Sequence, residues 1–251
     1  MKTTNKSIVE LIDNMGTDLT IVNAARVSFD KESDWEYINE TSVGQDDVIT
    51  QCLSNDDEKL INYLAKHNHW SPFAHTSIQL RVNAPIFVAR QLVKHQVGGV
   101  WNEVSRRYVA PDLEKYPNPD DDPASPEFYF PDNWRKRAKN VKQGSSEESV
   151  YCEDRFFKNL SINDKLRVVL PDVLQLYTDM LEAGLAPEQA RMILPQNMMT
   201  SWYWTGSLMF FHRVYKQRTG TTAQLESQEV AKQIGEICQN LFPIAWKALA
   251  K

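Results

Sequence analysis

Ile78-Gln79-Leu80-Arg81-Val82-Asn83-Ala84-Pro85-Ile86-Phe87-Val88-Ala89-Arg90-Gln91-Leu92-Val93 contains a change of period, and that change decides the class of fold. Up to Asn83, apolar Ile78, Leu80 and Val82 alternate with polar Gln79, Arg81 and Asn83, the pattern of a strand with one buried face. Pro85 breaks the alternation. Its fixed φ suits the first turn of a helix, from which Ile86, Phe87, Ala89 and Val93 are predicted to face inward. Arg90 and Lys94 lie four apart and share a face of that helix, with Gln91 and His95 beside them. The helix is expected to end near Gly98-Gly99, which adopt backbone shapes other residues resist, and Trp101-Asn102-Glu103-Val104-Ser105-Arg106-Arg107-Tyr108 follows at once. A cationic helix end, a turn of two glycines and a segment holding Ser105, Arg106 and Arg107 can together cradle a phosphate. Taken alone, the glycines also read as a plain turn and His95 as a helix cap.

The remaining elements alternate between helix and strand signals. Asn55-Asp56-Asp57-Glu58 opens a helix with acids at its positive end, and Leu60, Ile61 and Leu64 form its buried stripe. Leu174, Tyr177 and Leu181 belong to a helix closed by Gly184, and Pro187 begins the next. From Thr222 onward, Val230, Ile234, Ile237 and Leu241 recur at helical spacing. Trp202, Tyr203, Trp204, Phe210 and Phe211 read as core, and the polar stretch Lys31 to Asp47 as a loop. Pro111 to Glu148 reads as a surface excursion, because Pro117, Pro119, Pro123, Pro126 and Pro131 cannot continue a helix or a central strand; Phe128, Tyr129, Phe130 and Trp134 predict that part of it packs. The expected fold is α+β (mixed α/β). It is one helix-rich domain over residues 1–251 around a small, largely antiparallel sheet, with a surface insertion at about 111–148.

The 251 residues suffice for a sizeable core. No apolar run reaches the roughly 18 residues of a membrane span, and the first residues lack the apolar stretch of a secretory signal. Cys52, Cys152 and Cys238 are three, far apart and without metal spacing, which argues against a disulfide framework and a zinc site and for a reducing compartment, the cytoplasm. A net charge of −5 disfavours a general nucleic-acid binder. Arg81, Arg90, Lys94, Arg106 and Arg107 nevertheless gather within His75–Tyr108 against the single acid Glu103, so small anions could bind there; a solvated basic face is the alternative.

Phe87-Val88-Ala89-Arg90-Gln91, then Lys94-His95-Gln96, then Asn102-Glu103-Val104-Ser105-Arg106-Arg107-Tyr108 resembles the signature of flavin-dependent thymidylate synthases (the ThyX family). The resemblance runs along most of the chain outside its two polar stretches. Met15-Gly16-x-Asp18-Leu19 and Ala24-Ala25-Arg26-Val27-Ser28-Phe29 look like the family's N-terminal strand and turn. His67-x-His69-x-Ser71-Pro72-Phe73-x-His75 looks like its His-x-Thr-Pro-Phe-x-His element, and Ala190-Arg191-x-x-Leu194-Pro195, Trp204-Thr205 and Arg218 with Ala223-Gln224 match its C-terminal half. Departures from the family pattern fit a divergent branch of the phage type, with an inactive homologue as the competing explanation. Lys94 and Gln96 replace two arginines, one extra residue separates His95 from Ser105, Gly206-Ser207-Leu208-Met209 stands for an Asn-Ala-Arg run, and Arg213 for an Asn. Lysine keeps the charge of arginine but not its bidentate fork.

The resemblance implies reductive methylation of dUMP to dTMP, with methylenetetrahydrofolate as one-carbon donor, FAD and NADPH as reductant, and no enzyme nucleophile. It implies that Gln91, Lys94, Glu103, Ser105, Arg106, Arg107, Arg191 and Arg218 bind dUMP, and that His69, Ser71, Lys94, His95, Gln96, Glu103, Ser207 and Arg213 bind FAD. Arg218 is the catalytic candidate, stabilising negative charge as the uracil ring loses its N3 proton. A homotetramer with sites between subunits is expected. Without the resemblance, His69 and His75 would read as structural, Arg191 as a salt-bridged helix residue and Arg218 as a cation at a helix C-terminus. The altered flavin segment leaves a second reading, a catalytically inactive flavin- or nucleotide-binding homologue with a regulatory role. A third is an unrelated nucleotide- or RNA-binding module.

Overall fold

The computed structural model describes residues 1–40, 48–112, 114–116, 118, 121–139, 144–150 and 161–251. In chain order its first half runs β1 (Lys2–Thr4), β2 (Ile8–Met15), α1 (Asp18–Arg26), β3 (Glu36–Glu40), β4 (Val48–Cys52), α2 (Asn55–Lys66), β5 (Ser77–Pro85), α3 (Ile86–Leu92) and β6 (Gly99–Glu103). The second half runs β7 (Glu127–Tyr129), β8 (Arg135–Arg137), β9 (Ser145–Ser149), α4 (Ile162–Glu182), α5 (Pro187–Ala190), β10 (Met199–Gly206), α6 (Leu208–Arg218), α7 (Leu225–Leu241) and α8 (Pro243–Leu249). The fold is α+β. Its main sheet is antiparallel throughout, in the order β2-β5-β10-β6.

The alternation read from Ile78 to Asn83 sets the two faces of that sheet. Ile78, Leu80 and Val82 are fully buried, and Trp204 and Trp202, the register partners of Leu80 and Val82 on β10, continue the layer. Tyr203, expected in the core, is 44% exposed, because its register partner is Arg81 on the open face. Beneath the sheet pack Phe210, Phe211 and Val214 of α6, Val230 and Ile234 of α7, and Ile61 and Leu64 of α2. Burying each such side chain contributes roughly 1.5–3 kcal/mol. Leu60, placed in the same stripe by its spacing, is only partly buried.

Two glycines let α6 approach the sheet. Gly99 and Gly206 are register partners on β6 and β10, and a Cβ on either would lie 2.3 Å from the Phe210 ring. The buried carboxylate of Asp18 accepts the backbone N–H groups of Ile244 (3.0 Å) and Ala245 (2.9 Å), capping α8 from α1. Ala24–Arg26 finish α1 and Val27–Phe29 form a single 3₁₀ turn, so this stretch is helix rather than the strand and turn that the resemblance implied.

Several local expectations are corrected. Helix α3 ends at Leu92 and not near Gly98, because Gly99 already pairs with Gly206 and the chain must turn back sooner. Lys94 therefore lies beyond the helix and shares no face of it with Arg90. Ala89 is buried as expected, together with Val88 and Leu92, while Ile86 leans on a second cluster with Phe128, Phe130, Leu170 and Tyr177. Phe87 and Val93 are half-buried. The stretch read as a loop from Lys31 to Asp47 holds β3, paired antiparallel with β4; residues 41–47 lie outside the described residues.

Within the proline-rich excursion, Phe128, Tyr129 and Phe130 are buried as expected, and β7 pairs parallel with β1. Its polar end is not irregular, since β9 pairs antiparallel with β8. Helix α7 begins at Leu225, with Gln224 at its N-cap, three residues beyond Thr222. Among the described residues no helix is long and apolar enough to cross a membrane, and no group of three or more His, Cys, Asp or Glu could hold a metal ion.

Candidate active site

Three helix ends meet around one guanidinium. Helix α6 delivers Arg218 in its last turn, α3 delivers Gln91, and the turn after α3 delivers His95. The Arg218 Nε donates to His95 Nε2 at 2.9 Å, and its Nη2 donates to the carbonyl of Gln91, also at 2.9 Å. Gln91 is itself clamped from the start of α7: its Nε2 donates to Gln224 Oε1, and Ser227 Oγ donates to its Oε1 at 3.2 Å. Accepting a bond at Nε2 means that His95 is the neutral imidazole with its proton on Nδ1. Burial first, and the charge of Arg218 second, hold His95 below its ordinary pKa. Burial also lowers Arg218, which stays charged.

Glu103 belongs to a different place. It closes β6 opposite Trp202, and its carboxylate accepts from Thr200 Oγ1 at 2.8 Å and from Trp101 Nε1 at 3.3 Å. Next to it opens a cavity of about 330 Å³ lined by Glu103, Arg106, Arg191, Arg81, Asn83 and Ser201, among others. Arg106 is half-buried and donates to the carbonyl of Ala124, tying the excursion to the sheet; burial lowers its pKa, against the raising effect of Tyr177 and Asp122. The Ser105 Oγ accepts from the backbone N–H (3.3 Å) and the Nε (3.2 Å) of Arg107, whose guanidinium lies 5.0 Å from the Tyr108 ring centroid.

His69 and Arg213 meet in a third place, a cavity of about 700 Å³ between the end of α2, one side of α6 and the end of α8. Arg213 sits 5.7 Å from the centroid of Trp70, and Lys66, Lys216 and Lys251 add charge to a lining that contains no carboxylate side chain. Ser71 is exposed and opens the short turn that follows, its carbonyl accepting from the N–H of Ala74. The Ser207 hydroxyl accepts from the N–H of Phe210 at 3.2 Å and so is engaged as the cap of α6. Lys94 and Gln96 are exposed.

Eight of the fourteen predicted site residues thus fall into three groups within one chain: Gln91, His95 and Arg218; Glu103, Arg106 and Arg191; His69 and Arg213. Reading the sequence missed Ser227, which fixes Gln91, and Thr200, which fixes Glu103. It also missed Trp70. Only the helical position of Ser227 near Gln224 offered a signal, and neither Thr200 nor Trp70 stands in a pattern of its own.

The family model for thymidylate synthase complementing protein matches residues 10–244. Over 244 residues the chain is 36% identical to the flavin-dependent thymidylate synthase of Thermus thermophilus, covering 97% of this chain and 76% of that protein. The chain belongs to the flavin-dependent thymidylate synthase family. A second flavin-dependent thymidylate synthase, from Thermosipho africanus, is 31% identical over 250 residues, covering 100% of this chain and 93% of the relative. Among solved structures, the UMP/dUMP methylase PolB from Streptomyces cacaoi, bound with 5-Br dUMP, aligns with a TM-score of 0.71 at 26% identity, over 100% of this chain and 97% of that one. Membership of the flavin-dependent thymidylate synthase family therefore rests on nearly the whole length and not on the Phe87–Tyr108 stretch alone.

Proposed function

We propose that the chain converts dUMP to dTMP by reductive methylation, with methylenetetrahydrofolate as one-carbon donor and NADPH as reductant. FAD, when bound, supplies the hydride that completes the methyl group. Membership of the family, together with a solved relative bound to a dUMP analogue, supports the substrate. The single observation that carries the mechanism is the fixed Arg218. Two of its five N–H groups are held within the protein, which leaves three for a ligand. A guanidinium anchored in this way stabilises the uracil ring as it loses the N3 proton, which makes C5 nucleophilic without a thiolate. The thiol of Cys238 is buried and pushed well above its usual pKa, and Cys52 Sγ lies against the Glu36 carbonyl at 3.6 Å; neither suits nucleophilic attack. Cys152 lies outside the described residues.

Gln91, Lys94, Glu103, Ser105, Arg106, Arg107 and Arg191 complete the nucleotide site in this reading, the arginines facing phosphate or the uracil edge. The residues around His69 and Arg213 fit a flavin dinucleotide. Their cavity joins an indole face to clustered cations with no opposing carboxylate, which suits an aromatic ring carrying a diphosphate. Ser71, Gln96 and Ser207 belong to the same flavin assignment, whereas His95 is held against Arg218 at 2.9 Å.

The reading treats residues 1–251 as one domain with an excursion at about 111–148, working as a homotetramer in the cytoplasm. The spread of the candidate residues over three places supports sites shared between subunits. Exposed apolar side chains also do so: Ile8 and Met15 on β2, and Val168, Val169 and Leu176 on α4, are each about half exposed or more, surfaces that a second copy would cover. The free Cys52 and Cys238 suit a reducing compartment. The deciding experiment is tritium release from C5-labelled dUMP. Release that depends on both NADPH and methylenetetrahydrofolate is expected, and none under any combination sinks the proposal.

A further inference from the structure

We propose that His95 is a positioning residue for Arg218, its unprotonated Nε2 fixing the plane of the guanidinium that meets the nucleotide. The inference rests on the assignment of Arg218 to the uracil ring. A planar group held at one nitrogen can still swing; held at Nε by His95 and at Nη2 by the Gln91 carbonyl, it cannot. Both anchors come from the end of α3 and the turn after it, and Gln91 is locked in turn by Gln224 and Ser227. A fixed donor stabilises developing charge without the reorganisation that a mobile one requires.

Protonating Nε2 would replace an acceptor with a donor and set two cations 2.9 Å apart, so the bond to Arg218 breaks. The neighbours offer nothing to offset that charge. From α6 comes Arg218; from β10 comes Trp204, whose ring centroid lies 6.4 Å away; and on the turn itself Lys94 and Gln96 are exposed. Among the described residues no carboxylate bonds to the imidazole. Turnover should therefore fall on the acid side through the titration of His95, below the ordinary histidine range, as Arg218 is released.

The test pairs kinetics with spectroscopy. His95→Leu removes the acceptor and should lower kcat for tritium release about a hundredfold, with flavin content kept. His95→Gln offers an acceptor that does not titrate, and should recover at least tenfold of that loss while its profile shows no acid limb. Either a His95→Leu variant as active as wild type, or a His95→Gln variant as impaired as His95→Leu, overturns the proposal. Loss of bound flavin in both variants also overturns it, in favour of direct flavin contact. Ring-nitrogen NMR of the wild-type protein, with histidine labelled, needs no variant: an acceptor signal at Nε2 is expected, and a proton on Nε2 refutes the geometry. If wild type releases no tritium, the proposed function fails while the NMR result still judges the His95–Arg218 pair.

Discussion

Gly206→Ala should destabilise the protein although it adds one methyl group. The new Cβ would stand 2.3 Å from Cδ1, 2.8 Å from Cγ and 3.0 Å from Cε1 of Phe210. Carbon atoms in contact prefer about 3.5–4.0 Å, so ring or strand must move by more than about 1 Å. Phe210 has no free space to take up that shift. It is 3% exposed, with the rings of Trp204 and Phe211 at 5.5 and 5.1 Å between centroids. Overpacking of this kind costs about 1–3 kcal/mol. For a chain of this length that lowers Tm by roughly 2–12 °C, at about 2–4 °C per kcal/mol. The assay is thermal unfolding followed by circular dichroism at one fixed protein concentration, since an oligomer's Tm depends on it. Phe210→Leu should relieve the clash, so the double variant must lose less than the two single losses added, by at least about 0.5 kcal/mol. A Tm for Gly206→Ala within about 1 °C of wild type, or strict additivity, would refute the close approach of α6 to the sheet.

Three further outcomes are expected. Arg218→Ala should keep bound flavin but lower dUMP-dependent tritium release by about 10²–10³, the usual loss for one donor to a developing anion; deprotonation at C5 as in wild type would sink the assignment of Arg218. Ser105→Ala should raise KM for dUMP about two- to tenfold, as expected for one hydrogen bond of about 0.5–1.5 kcal/mol. Complete loss of chemistry with binding intact would instead make Ser105 a nucleophile. Light scattering should give a homotetramer, and a monomer that still turns over would contradict sites shared between subunits.

Local order was legible in the sequence because neighbouring residues determine it. The alternation at Ile78–Asn83 gave β5, and Gly184 and Pro187 bracketed the end of α4 and the start of α5, since each signal acts within a few residues. The length of α3 was not legible. It is decided by the pairing of Gly99 with Gly206, a partner more than a hundred residues away, and no local signal reports that. The same holds for β3, where polar Glu36, Asn39 and Glu40 look like loop until β4 pairs with them. Tyr203 was misread for a related reason: in an aromatic run, only the register with Arg81 tells which face a residue takes.

The candidate site shows the same limit at a larger scale. Phe87 to Tyr108 is continuous as a motif and reads as one site, yet the chain passes through a helix, a turn, a strand and a second turn within it. Each change of element reverses or redirects the side chains. Gln91 and His95 are carried to Arg218, which lies 123 residues beyond His95, whereas Glu103 is carried to Thr200 and the cavity shared with Arg191. Under the proposed function these groups serve one reaction, and among the described residues no hydrogen bond or ion pair joins one group to another. In the proposed homotetramer a second copy of the chain would bring them together, and activity would then depend on subunit association. Diluting the enzyme to the point of dissociation should then abolish turnover while leaving the His95–Arg218 hydrogen bond, which is internal to one subunit, in place.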